Sequence, residues 1–169
     1  INSITNIPLV TVPTTTIPSI TSDMTYLNIE DNYISITGYI GNDTNLIIPP
    51  TIGDKNIISI ADNSTNISNF PNIESITISN TVTYIGNHAF IGLTSLSIVT
   101  FDSSSILNKI GQGVFQNSNI NDIVIPDTVT EIGGWSFYNC QNLTSVILPS
   151  NITSINNQTF YNCKNLSSI

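Results

Sequence analysis

The chain predicts a β-rich α/β solenoid, with one short parallel strand in each coil of ~23 residues and short helical or irregular turns on the convex side. Three observations lead there. From Ile73 to Ile169 the sequence lines up on itself at a period of 23 residues, with one extra residue in the second unit. Large apolar side chains fall into columns when the units are superposed, and no unit of this length has enough of them to enclose a core alone. Of 169 residues only 14 are charged, whereas Asn (24), Ser (21) and Thr (21) together supply 66, so amides and hydroxyls must cover the surface.

From the N-terminus, residues 1–25 mix Thr, Ser, Pro and Ile without helical periodicity and read as an extended arm. Residues 26–43 alternate about Asp31 and Asn32, the pattern of a hairpin, which would cap the array as terminal repeats require. Residues 44–72 form an irregular first repeat in which Leu46, Ile48, Pro49, Ile57, Ile60 and Ile67 take column positions, Ile67 standing where a Phe would be. Residues 73–169 comprise four full units and a truncated fifth. Each full unit opens on an aliphatic residue and a segment alternating with period two, which makes one strand whose in-between side chains face solvent. Phe90, Phe115, Phe137 and Phe160 should stack along the opposite wall, and Ile85, Ile110, Ile132 and Ile155 should form a second buried ladder.

The unit LTSVILPSNITSINNQTFYNCKNL resembles the BspA-like (Treponema pallidum type) leucine-rich repeat, usually written LxxIxIPxxVxxIxxxAFxxCxxL. The stretch ISITGYIGNDTNLIIPPTIGDKNIISI likewise resembles the opening repeat of such arrays, so the likeness spans roughly 33–169. Ile67, Leu93 and Ser118 depart from the family pattern. The resemblance implies a leucine-rich-repeat solenoid, surface-exposed or secreted, whose work is attachment to host or matrix proteins.

Charge narrows the partners. With three Lys, no Arg, eleven carboxylates and a net charge of −8, the chain cannot neutralise a run of phosphates, which argues against nucleic acid. No window reaches the roughly 20 apolar residues needed for membrane insertion. Beginning at Ile1 without a basic-then-apolar leader, it reads as an extracellular or cell-surface product whose leader has been removed.

No residue set suggests catalysis, and no cofactor or metal is expected. His88 is the only histidine and shares its column with Gly113, Trp135 and Gln158, a permissive surface position. Cys140 and Cys163 stand one coil apart in a column also filled by Leu93 and Ser118, the setting of unbridged packing thiols. Asp102, Asp122 and Asp127 lie on neighbouring coils but in three different columns, without the spacing of a calcium loop. Asn117, Asn139 and Asn162 form one amide column, Asn72, Asn119, Asn142 and Asn165 another, and Glu131 shares a column with Lys109 as a cross-coil ion pair.

Two surfaces are candidates for function. On the strand face Ile98, Val124 and Ile147 make an apolar stripe rimmed by Thr100, Asp122 and Ser145, which suits docking of a protein or matrix ligand; β-branched residues also simply suit strands. The second surface is the pair of ends. Ile1, Ile4 and Ile7 followed by Pro8 imitate the start of a repeat, and the last unit stops after Leu166 and Ile169. The arm of one subunit could complete the terminal coil of another head-to-tail, giving a filament. The simpler expectation is a disordered arm on a piece of a longer array.

Overall fold

A coil this short closes only by turning sharp corners, and each corner falls where the sequence supplies a residue that permits it. The computed structural model describes residues 20–62 and 72–169. In chain order a 3-10 turn (Ile20–Asp23) leads into β1 (Met24–Glu30), β2 (Tyr33–Tyr39), β3 (Asn45–Ile48), β4 (Thr51–Ile52), β5 (Lys55–Ile60) and β6 (Ser75–Ile78). There follow β7 (Tyr84–Ile85), β8 (Ile98–Phe101), β9 (Lys109–Ile110), β10 (Asp122–Val124), β11 (Glu131–Ile132) and β12 (Ser145–Ile147). Ile67 lies outside the described residues, as do Ile1, Ile4 and Ile7.

Three walls enclose the core. The first carries the expected strand of each coil: β3, β6 and β8 pair in parallel and in register, and β10 pairs β12 likewise. The second carries a further short strand per coil, which sequence periodicity does not reveal because two residues have no period. Here β2, β5, β7, β9 and β11 form an unbroken parallel run, with β1 antiparallel to β2 at its start and β4 folded back on β5. The third wall is made of the Phe turns.

Between the first and second walls, turns close from Ser79, Asp102, Pro126 and Pro149 carbonyls to the N–H three residues on. Between the second and third, the chain passes so close to the preceding coil that a side chain is excluded: a Cβ on Gly133 would lie 2.5 Å from the Gln112 backbone N, and Gly86 and Gly111 are as tightly placed. In the last coil Asn156 takes that position and its amide donates to the Ile132 carbonyl at 2.6 Å.

The core is a stack of ladders. Ring centroids of Phe90, Phe115, Phe137 and Phe160 are 5.9, 5.5 and 5.4 Å apart in succession and near parallel. Ile85, Ile110 and Ile132 are buried on the second wall. The fourth member expected there, Ile155, is instead 46% exposed, and Phe160 is only half-buried, because the last coil is covered on one side alone among the described residues. A fully buried aliphatic or Phe side chain contributes about 1.5–3 kcal/mol.

Every Phe turn contains two residues in the left-handed region, four positions apart. One column is His88, Gly113, Trp135 and Gln158, with φ of 58, 61, 58 and 56°; the other is Gly92, Asn117, Asn139 and Asn162, with φ of 77, 63, 59 and 61°. Asn tolerates this conformation through its short polar side chain, whereas His, Trp and Gln are held there at a cost of roughly 1–2 kcal/mol each. Coil-to-coil backbone bonds offset that cost: His88 N–H donates to Gln112, Gly113 to Gly134 and Trp135 to Asn157, at 2.7, 2.9 and 3.2 Å. Amides add a side-chain ladder, Asn139 Nδ2 donating to Asn117 at 2.9 Å and Asn162 Nδ2 to Asn139.

Candidate binding surface at a seam in the strand wall

On the first wall the inward side chains, among them Ile76, Ile78, Ile123 and Val146, are buried, and the outward ones are free to meet a partner. Ile98, Val124 and Ile147 are 56, 58 and 57% exposed. They do not form one row. Ile98 is in register with Ser75, and Val124 with Ile147, while Thr100 pairs with Thr77 and Asp122 with Ser145. The expected continuous stripe is therefore two offset patches, because Ile98 sits two residues earlier in its strand than Val124 does.

Between β8 and β10 the wall is split, with no ladder pairing across the junction among the described residues. The cause is in the spacing. Phe90 to Leu96 and Phe137 to Leu143 are six residues, but Phe115 to Ile120 is five; Ile78 to Ile85 and Ile125 to Ile132 are seven, but Phe101 to Ile110 is nine. The single extra residue of this unit is thus two inserted at one corner and one removed at another. Where the other coils close their corner with Leu96 N–H on Leu93, Leu143 on Cys140 and Leu166 on Cys163, the shortened one binds Asn119 N–H to the Leu96 carbonyl at 2.9 Å. Asn121 then reaches Ser97 at a long 3.4 Å, and β10 leaves β8 beyond that point.

The seam opens into a groove of about 760 Å³ lined by Ile98, Thr100, Asp102, Asp122, Val124 and Asp127, among others. It gathers aliphatic groups from both sides of the split under a rim of three carboxylates. Asp102 accepts from the Ser104 hydroxyl at 2.7 Å and from its N–H at 2.8 Å, and these bonds hold its carboxyl below the usual range. Asp127 accepts the Ser150 N–H from the next coil at 3.1 Å. Among the described residues no group of three or more potential ligands is placed to hold a metal, so the three carboxylates share a groove but not a point.

Other singled-out residues have structural places. Cys140 is buried and Cys163 half-buried, both with free thiols. Each S–H donates to the Phe carbonyl of the preceding coil, Phe115 and Phe137, at 3.1 Å. Burial pushes the Cys140 thiol up to about 11. His88 is half-buried on the third wall, in a turn whose strain is backbone strain. Lys109 Nζ and Glu131 meet at 2.9 Å on the second wall, facing solvent. Leu166 is half-buried and Ile169 is 64% exposed at the last coil. Sequence reasoning missed the groove itself, along with Asp62 on the second wall. Burial acts to raise the Asp62 pKa, but hydrogen bonds from Tyr84 Oη and from the Asn87 N–H and amide together bring it below the ordinary carboxylate range.

Six copies of the BspA type leucine rich repeat region match residues 58–169, about two thirds of the chain. The chain belongs to that family. This BspA-type array is similar in structure to a T. pallidum leucine rich repeat protein, with a TM-score of 0.67 and 25% identity over 87% of this chain and 78% of that one. It is also similar to a leucine-rich repeat protein from Bacteroides ovatus, with a TM-score of 0.57 and 26% identity over 85% of this chain. Only 44% of that protein is spanned. A leucine rich cell surface protein from Faecalibacterium prausnitzii shares the fold at a TM-score of 0.56 and 24% identity, over 86% of this chain and 53% of that one. No protein among the curated ones matches. In the described part of this BspA-type array no helix is long and apolar enough to cross a membrane.

Proposed function

We propose that the chain is a non-enzymatic protein-binding module that acts through its strand wall, at the cell surface or outside the cell. One observation carries the reading: the seam is a concave site in which exposed Ile98 and Val124 converge with three carboxylates on the strand wall. A solenoid suits this work because each coil is fixed by its neighbours, so side chains on strands are presented without an ordering cost at the moment of contact. Display outside the cell follows the resemblance to a repeat class whose members are surface-exposed or secreted. Extracellular-matrix and serum glycoproteins are the proposed ligands.

The test is surface plasmon resonance of the chain against a panel of immobilised matrix and serum glycoproteins, with Val124→Asp and Ile98→Asp alongside. Both positions are exposed, so the variants should keep the parent circular dichroism and unfolding temperature. At least one ligand should bind the parent and lose tenfold or more with either variant. Equal binding by parent and variants across the panel refutes the strand wall as the binding surface.

A further inference from the structure

We infer that the seam groove takes an extended segment of a partner protein that carries an apolar side chain flanked by lysine or arginine. The inference rests on the strand-wall reading and specifies its occupant. Ile98 and Val124 stand diagonally on opposite sides of the split, both more than half exposed, with Val99 and Ile123 turned inward beneath them. That leaves an apolar floor on which one aliphatic or aromatic side chain can lie.

The rim selects charge. Asp102, Asp122 and Asp127 all border the groove, and no Lys lines it: Lys109 is on the other wall, paired with Glu131. Three carboxylates without a cation, in a chain of net charge −8, favour a basic occupant and repel an acidic one. The groove's course selects conformation. Its lining runs along both strands, from Ser97 to Ser105 on one side and from Asn121 to Thr128 on the other, so a chain laid along it in extended form meets residues of both. The chain's own residues 1–19 contain neither Lys nor Arg, so they lack the complementary charge.

The probes are three fluorescein-labelled nine-residue peptides, alternating Lys with Val, Lys with Ser, and Glu with Val, read by fluorescence anisotropy at low and near-physiological salt. The proteins are the parent, a groove triple variant (Asp102→Asn, Asp122→Asn, Asp127→Asn), a remote triple variant with the same charge change (Glu30→Gln, Asp31→Asn, Asp54→Asn), and Val124→Ser. The Lys–Val peptide should bind the parent at least tenfold tighter than either other peptide. The groove triple variant and Val124→Ser should each weaken it about tenfold, and the remote triple variant less than twofold.

Equal losses in the two triple variants, or equal binding of the Lys–Val and Lys–Ser peptides, would reduce the effect to general attraction by an acidic protein and overturn the inference. If a panel glycoprotein is lost with Val124→Asp while the peptides do not discriminate, strand-wall binding stands and the basic, apolar occupant falls. If the Lys–Val peptide is selected at the groove while panel binding ignores Val124, the occupant stands and the glycoprotein reading falls.

Discussion

The same coils build two parallel walls, and only one of them is continuous. The second wall runs unbroken from β2 to β11, although its later strands are two residues long; the first, with strands of three or four, breaks between β8 and β10. Strand length and side-chain pattern do not explain this, since Ile123 and Val99 occupy their column as well as any others. What differs is the chain length between corners. The inserted pair after Phe101 bulges out before the second wall begins and leaves β9 in register with β7, whereas the residue missing after Ser118 falls just before β10 and removes its lead-in turn. In a solenoid, corner spacing governs whether neighbouring strands pair, and the apolar columns govern only whether the coil is filled.

The largest effect should come from breaking the continuous wall at its corner. Gly133→Ala places a Cβ against the backbone of the preceding coil, which cannot yield as a flexible side chain would. Overpacking of this kind costs about 1–3 kcal/mol, and the upper end is expected here; urea unfolding should show the fall in midpoint.

The complementary experiment mends the split wall. Deleting two residues from 103–106 and inserting one after Ser118 restores the spacing of the neighbouring coils. Ladder pairing between β8 and β10 should follow, with slower amide exchange at Val99, Phe101 and Val124, whose N–H groups face the seam, and a gain of about 1–2 kcal/mol from two or so added backbone bonds. Unchanged exchange would mean that spacing is not what parts the strands. The mended protein should also lose the groove, and with it any ligand held there.

A third comparison uses pH, because the tyrosines with raised pKa belong to the continuous wall. Tyr39 Oη donates to Asp43 at 2.7 Å and Tyr84 Oη to Asp62 at 2.8 Å. Burial, then these carboxylates, push both phenols from 10 up to about 12. A folded pKa above the unfolded one means stability that is fully present below pH 10 and lost as pH rises from 10 through about 12. Thermal unfolding across that window should fall, and Tyr84→Phe should flatten part of the slope. The carboxylate of Asp62 has the opposite sign: its contribution is present above the ordinary carboxylate range and lost as pH falls through its lowered pKa. The smallest effect belongs to Lys109 and Glu131, an exposed pair in register on the same wall. A double-mutant cycle to Ala should return about 0.2–1 kcal/mol, shrinking with salt.

Much of the interior was legible before any coordinates. The Phe and Ile ladders follow from spacing because a column needs only the same residue at the same distance, and Phe90 through Phe160 supply it. The cross-coil pair of Lys109 and Glu131 and the stacked Asn117, Asn139 and Asn162 follow by the same logic. Ile155 shows the limit: a column position is buried only when a coil lies on each side of it. The groove was hidden because an insertion and a deletion nearly cancel in the unit's length, so counting residues per unit shows one extra where three changes occurred. The left-handed turns were half visible. Gly113 and Gly92 mark their columns, but nothing in the residue types of His88 and Trp135 announces that the backbone there is forced positive.

The turns of the third wall are joined in one direction only. His88, Phe90 and Gly92 give their N–H groups to the next coil, as do Gly113, Phe115 and Asn117, then Trp135, Phe137 and Asn139. Nine peptide groups over three junctions therefore point the same way along the axis, and their dipoles add instead of cancelling. On this wall the stack is vectorial: each Phe turn donates toward the next coil and accepts from the preceding one, while on the strand walls N–H groups such as those of Ser97 and Gly111 donate back to the preceding coil. Repeats exchanged or added by duplication can be accommodated in one sense alone, which makes the direction of the array as much a part of its inheritance as its sequence.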